Sequence, residues 1–142
     1  MTSVRFSLAR DTTPLQVTKV EALSGSATTD DLFIVTFNKP VYGFPKAAIS
    51  SNTTSASSFR YVLGRVSDRR DRERFEEADP SVSGNGFRSV ELDENDPYIL
   101  ILHAGPGSFN EEHRFKLFVE PAVEDIFGVP LGGAGFQTEG QL

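Results

Sequence analysis

The apolar residues of this chain recur mostly at every second position, in short runs closed by Gly, Pro, Asn or Ser. Alternation of this kind places large side chains on one face of an extended backbone, so each run predicts a β-strand. In the run from Leu32 to Phe37, for example, Phe33, Val35 and Phe37 share one face. The other predicted strands are marked by Val17, Val20 and Leu23, by Phe59, Tyr61 and Leu63, by Val90 and Leu92, by Tyr98–Leu102, by Phe115–Val119, and by Phe136.

The predicted strands are short and numerous, and turn-forming residues separate them. This pattern predicts an all-β fold, a β-sandwich of two antiparallel sheets. The length of 142 residues suits one domain with one core. We expect the sandwich to occupy residues 14–142 and residues 1–13 to form an extended N-terminal arm, because Thr12-Thr13-Pro14 separates the arm from the first strand.

The second predicted strand is interrupted by a proline. It belongs to the segment DDLFIVTFNKPVYGF, which runs from Asp30 to Phe44. Pro40 has no N–H to donate to a neighbouring strand, so the strand must end or change partner there. We therefore expect residues 40–44 to form a short, kinked edge strand that crosses between the sheets and buries Val41 and Phe44 on either side of Gly43.

The same segment resembles the opening of bacterial immunoglobulin-like domains, whose second strand reads as an apolar VTF, one or two polar residues, and Pro-Val. The segment FKLFVEPAVEDIFGVPLGGAGFQT, residues 115–138, is similar to the closing pair of strands in those domains. The resemblance implies an immunoglobulin-like β-sandwich, a fold used mainly for spacing, adhesion and assembly in cell-surface proteins and phage particles. The segment Ser67–Gly86 departs from the family pattern, because it is a longer and more charged insertion.

The charge of the chain bears on its partners. The net charge is −6, and an acidic surface repels phosphate backbones and anionic lipid headgroups unless cations gather on one face. The arginines between residues 65 and 74 are interleaved with Asp and Glu, so their field largely cancels. No apolar run approaches the roughly 20 residues that span a bilayer. We expect neither a nucleic-acid nor a membrane partner.

Candidate catalytic residues are few. There is no cysteine, which excludes disulfides and thiolate nucleophiles, and no G-x-S-x-G segment. His103 ends an apolar strand and His113 follows two glutamates, so both are interpreted as packed or solvated side chains. We expect no enzyme activity and no cofactor.

One turn has the chemistry of a calcium site. The sequence ELDENDP places Asp93, Asn95 and Asp96 close together, and calcium prefers such oxygen ligands. The segment lacks the D-x-[DN]-x-[DN]-G spacing of an EF-hand loop, and Asn-Asp-Pro is an ordinary turn. A solvated turn is the favoured interpretation, and calcium binding is the alternative.

Two features suggest contacts with other proteins. In the N-terminal arm, Val4, Phe6 and Leu8 alternate with small or polar residues, which suits pairing with a sheet edge of the same chain or of a neighbouring subunit. We favour the neighbouring subunit. Phe75 is the one large apolar residue of the charged insertion, so it either anchors the insertion to the core or contacts a partner.

These features predict a non-catalytic structural or assembly module, such as a capsid decoration or cement-type protein of a phage virion. The alternative is one immunoglobulin-like repeat of a bacterial surface adhesin or carbohydrate-binding protein, located outside the cell. The expected partners are protein subunits of a larger assembly, and a homo-oligomer or a glycan ligand remains open. The aromatic residues that could stack on a sugar ring are Tyr42, Phe44 and Phe109.

Overall fold

The computed structural model describes residues 13–25, 28–43, 51–64, 85–105 and 114–141. These residues form eight strands: β1 Val17–Leu23, β2 Asp31–Phe37, β3 Phe59–Gly64, β4 Asn85–Gly86, β5 Ser89–Leu92, β6 Ile99–Gly105, β7 Arg114–Val119 and β8 Phe136–Gln141. A four-residue helix, α1 (Ser51–Thr54), and a 3-10 turn, Ala56–Ser58, precede β3. Every strand predicted from the alternation is present. Within the described part of the chain, no helix is long and apolar enough to cross a membrane.

The strands form two antiparallel four-stranded sheets. The first sheet has the order β1-β2-β6-β5 and the second has the order β4-β3-β7-β8. Along the chain the strands therefore switch sheets two at a time: β1 and β2 belong to the first sheet, β3 and β4 to the second, β5 and β6 to the first, and β7 and β8 to the second. This architecture confirms the predicted all-β sandwich of two antiparallel sheets.

The core lies between the sheets and follows from the alternation along β2. Phe33, Val35 and Phe37 are fully buried, as predicted, while the intervening residues are only half-buried on the outer face. The ring of Phe33 reaches across the core, with its centroid 5.7 Å from that of Tyr61 and 4.8 Å from that of Phe115. Because Tyr61 and Phe115 belong to the second sheet, these contacts hold the sheets face to face.

The two ends of the sandwich differ. We call one the Pro40 end: β2 ends there, β6 begins there, and Ile126 in the β7–β8 loop donates its N–H to the Pro40 carbonyl. We call the other the Gln141 end, where β1 ends at Leu23 and β8 ends at Gln141, which is paired with Arg114. The first strand, β1, begins at the Pro40 end, and the last strand, β8, ends at the Gln141 end.

The segment after Pro40 differs from the prediction. Residues 41–43 form a bend and not an edge strand. The Val41 N–H donates to the Pro97 carbonyl at 2.8 Å, so the backbone is tied to the turn before β6. Val41 is buried as expected, and Tyr42 is buried beside it, which the sequence interpretation did not foresee. Phe44 lies outside the described residues.

The charged insertion is described only at its end. Its last two residues, Asn85 and Gly86, form β4 and pair with Tyr61 and Arg60 of β3. The predicted boundary at residue 86 therefore falls within a strand. Phe75 and the three arm residues Val4, Phe6 and Leu8 lie outside the described residues.

Replacing Phe33 by alanine tests the importance of the contact between the sheets. We expect Phe33→Ala to lower the free energy of unfolding by about 3–5 kcal/mol, because it removes a fully buried ring and leaves a cavity. Phe127→Ala is the matched control, since Phe127 is 46% exposed, and it should change stability by less than about 0.5 kcal/mol. Urea denaturation measures both, and equal losses would show that Phe33 does not hold the core.

Candidate functional site

A buried ion pair organises the Pro40 end. The Nζ of Lys39 lies 2.7 Å from Oδ2 of Asp125, and the two side chains are 7% and 0% exposed. The same ammonium group donates to the carbonyl oxygen of Thr13. It therefore connects the start of the described chain, the end of β2 and the β7–β8 loop.

The other carboxylate oxygen of Asp125 shapes the β7–β8 loop. Its Oδ1 accepts the N–H groups of Phe127 at 2.8 Å and Val129 at 2.9 Å. Gly128 has a φ of 82°, a conformation that favours glycine. The carboxylate thus closes a tight turn and leaves Ile126 and Phe127 exposed at its tip.

A threonine of α1 holds the same loop. The Thr53 hydroxyl donates to the Glu124 carbonyl at 2.6 Å and accepts the Glu124 N–H at 3.1 Å. Sequence reasoning missed the ion pair and this contact. The spacing Asp125-x-x-Gly128 was a visible turn signal. Nothing in the local sequence identifies Lys39 or Thr53 as its distant partners.

The calcium candidates lie in the turn before β6. Oδ2 of Asp93 accepts the N–H groups of Asn95 at 3.0 Å and Asp96 at 2.8 Å, and Oδ1 of Asp96 accepts the N–H of Tyr98 at 2.9 Å. These bonds stabilise the turn without a metal. Among the described residues, no three His, Asp or Glu side chains are grouped so that they could hold a metal ion. The solvated turn stays the favoured prediction, with calcium binding as the alternative.

Tyr42 supports this turn from the core. Its hydroxyl donates to the Asp96 carbonyl at 3.0 Å, and its ring is fully buried. Burial raises the pKa of the Tyr42 hydroxyl above its ordinary value of about 10, and the carboxylates of Asp93 and Asp96 add to the rise. The ring belongs to the core and is not exposed to stack on a sugar. The other two candidates, Phe44 and Phe109, lie outside the described residues.

His103 lies in a cluster of charges on the outer face of the first sheet. Its Nδ1 is 2.8 Å from Oδ2 of Asp30, and its Nε2 is 2.7 Å from Oε1 of Glu91. Arg88 contacts the other oxygen of Asp30 at 2.9 Å. With both nitrogens engaged, the ring serves to connect β5, β6 and the segment before β2. His113 lies outside the described residues.

A lateral cleft of about 410 Å³ opens between one edge of each sheet. It is lined by residues 20–23 of β1, by residues 138–141 of β8, and by Phe115 of β7. Strand edges carry backbone groups that are free to pair with an additional strand. This cleft is the surface of the described structure that best suits binding of an extended peptide.

Removing one member of the buried ion pair should be costly. We expect Lys39→Met to lower the free energy of unfolding by about 3–5 kcal/mol, because it leaves the Asp125 carboxylate buried without a counter-charge. Adding Asp125→Asn should recover part of this loss, since the amide is neutral and its oxygen can still accept the two N–H groups.

The control for this cycle is an exposed ion pair. Lys19 lies 2.5 Å from Glu21, and the two side chains are 64% and 43% exposed. Lys19→Met should cost at most about 1 kcal/mol. Urea denaturation measures all four proteins, and a Lys39→Met loss as small as that of Lys19→Met would contradict the structural role of the buried pair.

The raised pKa of Tyr42 predicts a loss of stability at alkaline pH. Below pH of about 10 the hydroxyl is protonated in the folded and unfolded states, so its contribution is fully present. Above that pH the unfolded state loses the proton first, and stability falls until the pH passes the folded-state pKa. Tyr42→Phe should remove this fall and the late tyrosinate absorbance step, whereas Tyr98→Phe should preserve both. A late step that survives in Tyr42→Phe would assign it to another group.

Comparison with known proteins does not identify a family. No protein-family model matches this chain, and no curated protein sequence matches it. Among solved structures, the chain is similar to the N-terminal part of the bacterial S-layer protein SbsC, with 16% sequence identity and a TM-score of 0.49. The match covers 90% of this chain and spans 23% of that one. Similarity this distant does not bear on function.

Proposed function

We propose that this chain is an immunoglobulin-like, non-catalytic structural module. The strand order supports the proposal: β1-β2-β6-β5 corresponds to the ABED sheet of immunoglobulin domains, and β3-β7-β8 corresponds to the CFG sheet. β4 lies beside β3, where an additional C′ strand lies in many such domains. The chain departs from antibody domains because it has neither cysteine nor tryptophan.

The observation that carries a role in assembly is the placement of the first and last strands of the sandwich. β1 begins at the Pro40 end, and β8 ends at the Gln141 end beside Arg114. A sandwich that the chain enters at one pole and leaves at the other can be linked in series or can extend a segment from one pole towards a neighbour. The fold alone does not determine function, so the assembly role rests on this geometry and on the arm sequence.

The attachment that we propose is strand addition by the N-terminal arm. Val4, Phe6 and Leu8 alternate along the arm, and β1 and β8 present sheet edges of the kind that accept an extended segment. Strand addition recruits several backbone hydrogen bonds at once, and the alternate side chains specify the register. The partner is a protein subunit of the same assembly.

Two settings are compatible with this role, and both lie outside the cell. A phage virion protein would decorate a particle through the arm, whereas a repeat of a bacterial surface protein would be linked in series. Modules that the chain enters at one pole and leaves at the other can be linked directly in series. This geometry favours the surface repeat as the second candidate. The gene separates the settings, because a surface repeat is encoded in tandem copies and a decoration protein in a short reading frame beside capsid genes.

Deleting Met1–Asp11 tests the proposed attachment. We expect the truncated module to lose its retention in the particle or cell-envelope fraction of its host. We also expect its free energy of unfolding to change by less than about 0.5 kcal/mol, because the deletion leaves the described core intact. Co-sedimentation measures retention, and thermal denaturation of the isolated module measures stability.

The matched control for the deletion is Ser7→Ala, which preserves both the apolar alternation of the arm and Arg5. This variant should be retained. If the deletion instead destabilises the isolated module by several kcal/mol, the arm is an internal strand. Full retention after the deletion would place the attachment elsewhere.

A further inference from the structure

The cleft between β1 and β8 lies where both sheets have an edge on the same side. Among the strands formed by the described residues, β1 pairs with β2 and β8 pairs with β7, and each is the last in the order of its sheet. Antiparallel edge strands leave the N–H and C=O groups of alternate residues on the outer side unpaired by a neighbouring strand. The cleft therefore offers backbone hydrogen-bonding groups from two directions.

Small residues keep the cleft open. Ala22 of β1 and Thr138 and Gly140 of β8 stand at positions that face the core. They are smaller than Val20 and Phe136, the core-facing residues two positions before Ala22 and Thr138. A Cβ on Gly140 would lie 2.9 Å from Cζ of Phe115, so a side chain there would require the ring of Phe115 to shift. Ala22 and Thr138 also carry short side chains, and the cleft of about 410 Å³ that they line has room for apolar side chains from another segment.

The rim of the cleft is acidic and partly apolar. Glu21 and Glu139 line it, and their side chains are 43% and 48% exposed. Each has one cation nearby, because Lys19 lies 2.5 Å from Glu21 and Arg114 lies 3.3 Å from Glu139. Leu23 adds an exposed apolar side chain at the Gln141 end. A segment that fits here needs apolar residues facing inwards and cationic or small residues facing outwards.

The N-terminal arm has this pattern. Val4, Phe6 and Leu8 alternate with Arg5, Ser7 and Ala9. Four residues of an edge strand span roughly 13 Å, and residues 4–8 of the arm, which span roughly 16 Å when extended, are long enough to cover that length. With the three apolar side chains directed into the cleft, Arg5 would lie on the outer side, near the rim carboxylates.

We propose that the cleft between β1 and β8 accepts residues 4–8 of the arm of a second copy of this chain. The proposal rests on the proposed function, in which the arm joins neighbouring subunits, and it names the acceptor. It follows that the arm adds a strand to one or both open edges and covers Leu23, which is 44% exposed.

The position of Thr13 favours a second copy over the same chain. Thr13 is held at the Pro40 end, while the cleft extends to the Gln141 end. To reach its own cleft, the arm must reverse at Thr12-Thr13-Pro14 and run back along β1. The arm of a second copy can enter the cleft without such a reversal.

Disulfide cross-linking tests the acceptor directly, because the natural chain has no cysteine. Full-length Phe6→Cys is mixed with an equal amount of full-length Thr138→Cys and oxidised. We expect a covalent dimer of the two variants. Ser89→Cys, exposed on the edge strand β5 at the other side of the first sheet, is the matched control. It should cross-link at least roughly tenfold less, since selective burial of one Phe side chain in the cleft accounts for a difference of that order.

A variant without cysteine provides an independent measurement. Light scattering of the full chain should show association that increases with concentration, and Phe6→Asp should weaken this association roughly tenfold or more. Equal cross-linking to residues 138 and 89 would overturn the proposal. So would a double variant, Phe6→Cys with Thr138→Cys, that forms only an internal disulfide within a monomer.

The outcomes separate this inference from the proposed function. If deletion of Met1–Asp11 abolishes retention in the assembly but no cross-link to residue 138 forms, the arm attaches to a different partner and the acceptor assigned here is wrong. If the deletion leaves retention unchanged, the proposed function itself fails. Retention lost on deletion together with a selective cross-link between copies supports both.

Discussion

The aromatic contact of Phe33 with Tyr61 and Phe115 joins two sheets that are otherwise separate ladders of hydrogen bonds. Because side chains alternate along a strand, a slip of one residue in β2 would turn Phe33 and its apolar neighbours from the core to the outer face. The burial of this ring therefore specifies the register of β2. The register in turn determines where Lys39 emerges at the Pro40 end and which β1 residues border the cleft.

The Pro40 end depends on a second constraint, the burial of a charge. Lys39 and Asp125 are both removed from water, and desolvation of this kind is tolerated only because the two groups pair and because Asp125 also accepts two backbone N–H groups. The result is a specific arrangement of the β7–β8 loop against the end of β2. The polar groups described at this end hold backbone in place, as the carboxylates of Asp93 and Asp96 do in the neighbouring turn.

The edges of the two sheets provide backbone hydrogen-bonding groups for binding. A sandwich of two open sheets has edge strands whose backbone groups can pair with any extended segment, so such edges need selectivity. On β1 and β8 the charges of Lys19, Glu21 and Glu139 oppose indiscriminate pairing, and small residues beside Phe115 border the cleft.

The alternation of residues determined the strands by itself, because a period of two follows from the covalent geometry of one extended chain. It was sufficient to predict all-β sheets and the buried face of β2, and Pro40 was sufficient to predict the end of that strand. The order of the strands, the pairing of Lys39 with Asp125 and the burial of Tyr42 were decided only in the tertiary structure. Each depends on contacts between residues far apart in sequence, and the local pattern carries no information about such partners. The cleft has the same origin, since Ala22, Thr138 and Gly140 are unremarkable as residues and form an opening only where the two sheets place them side by side.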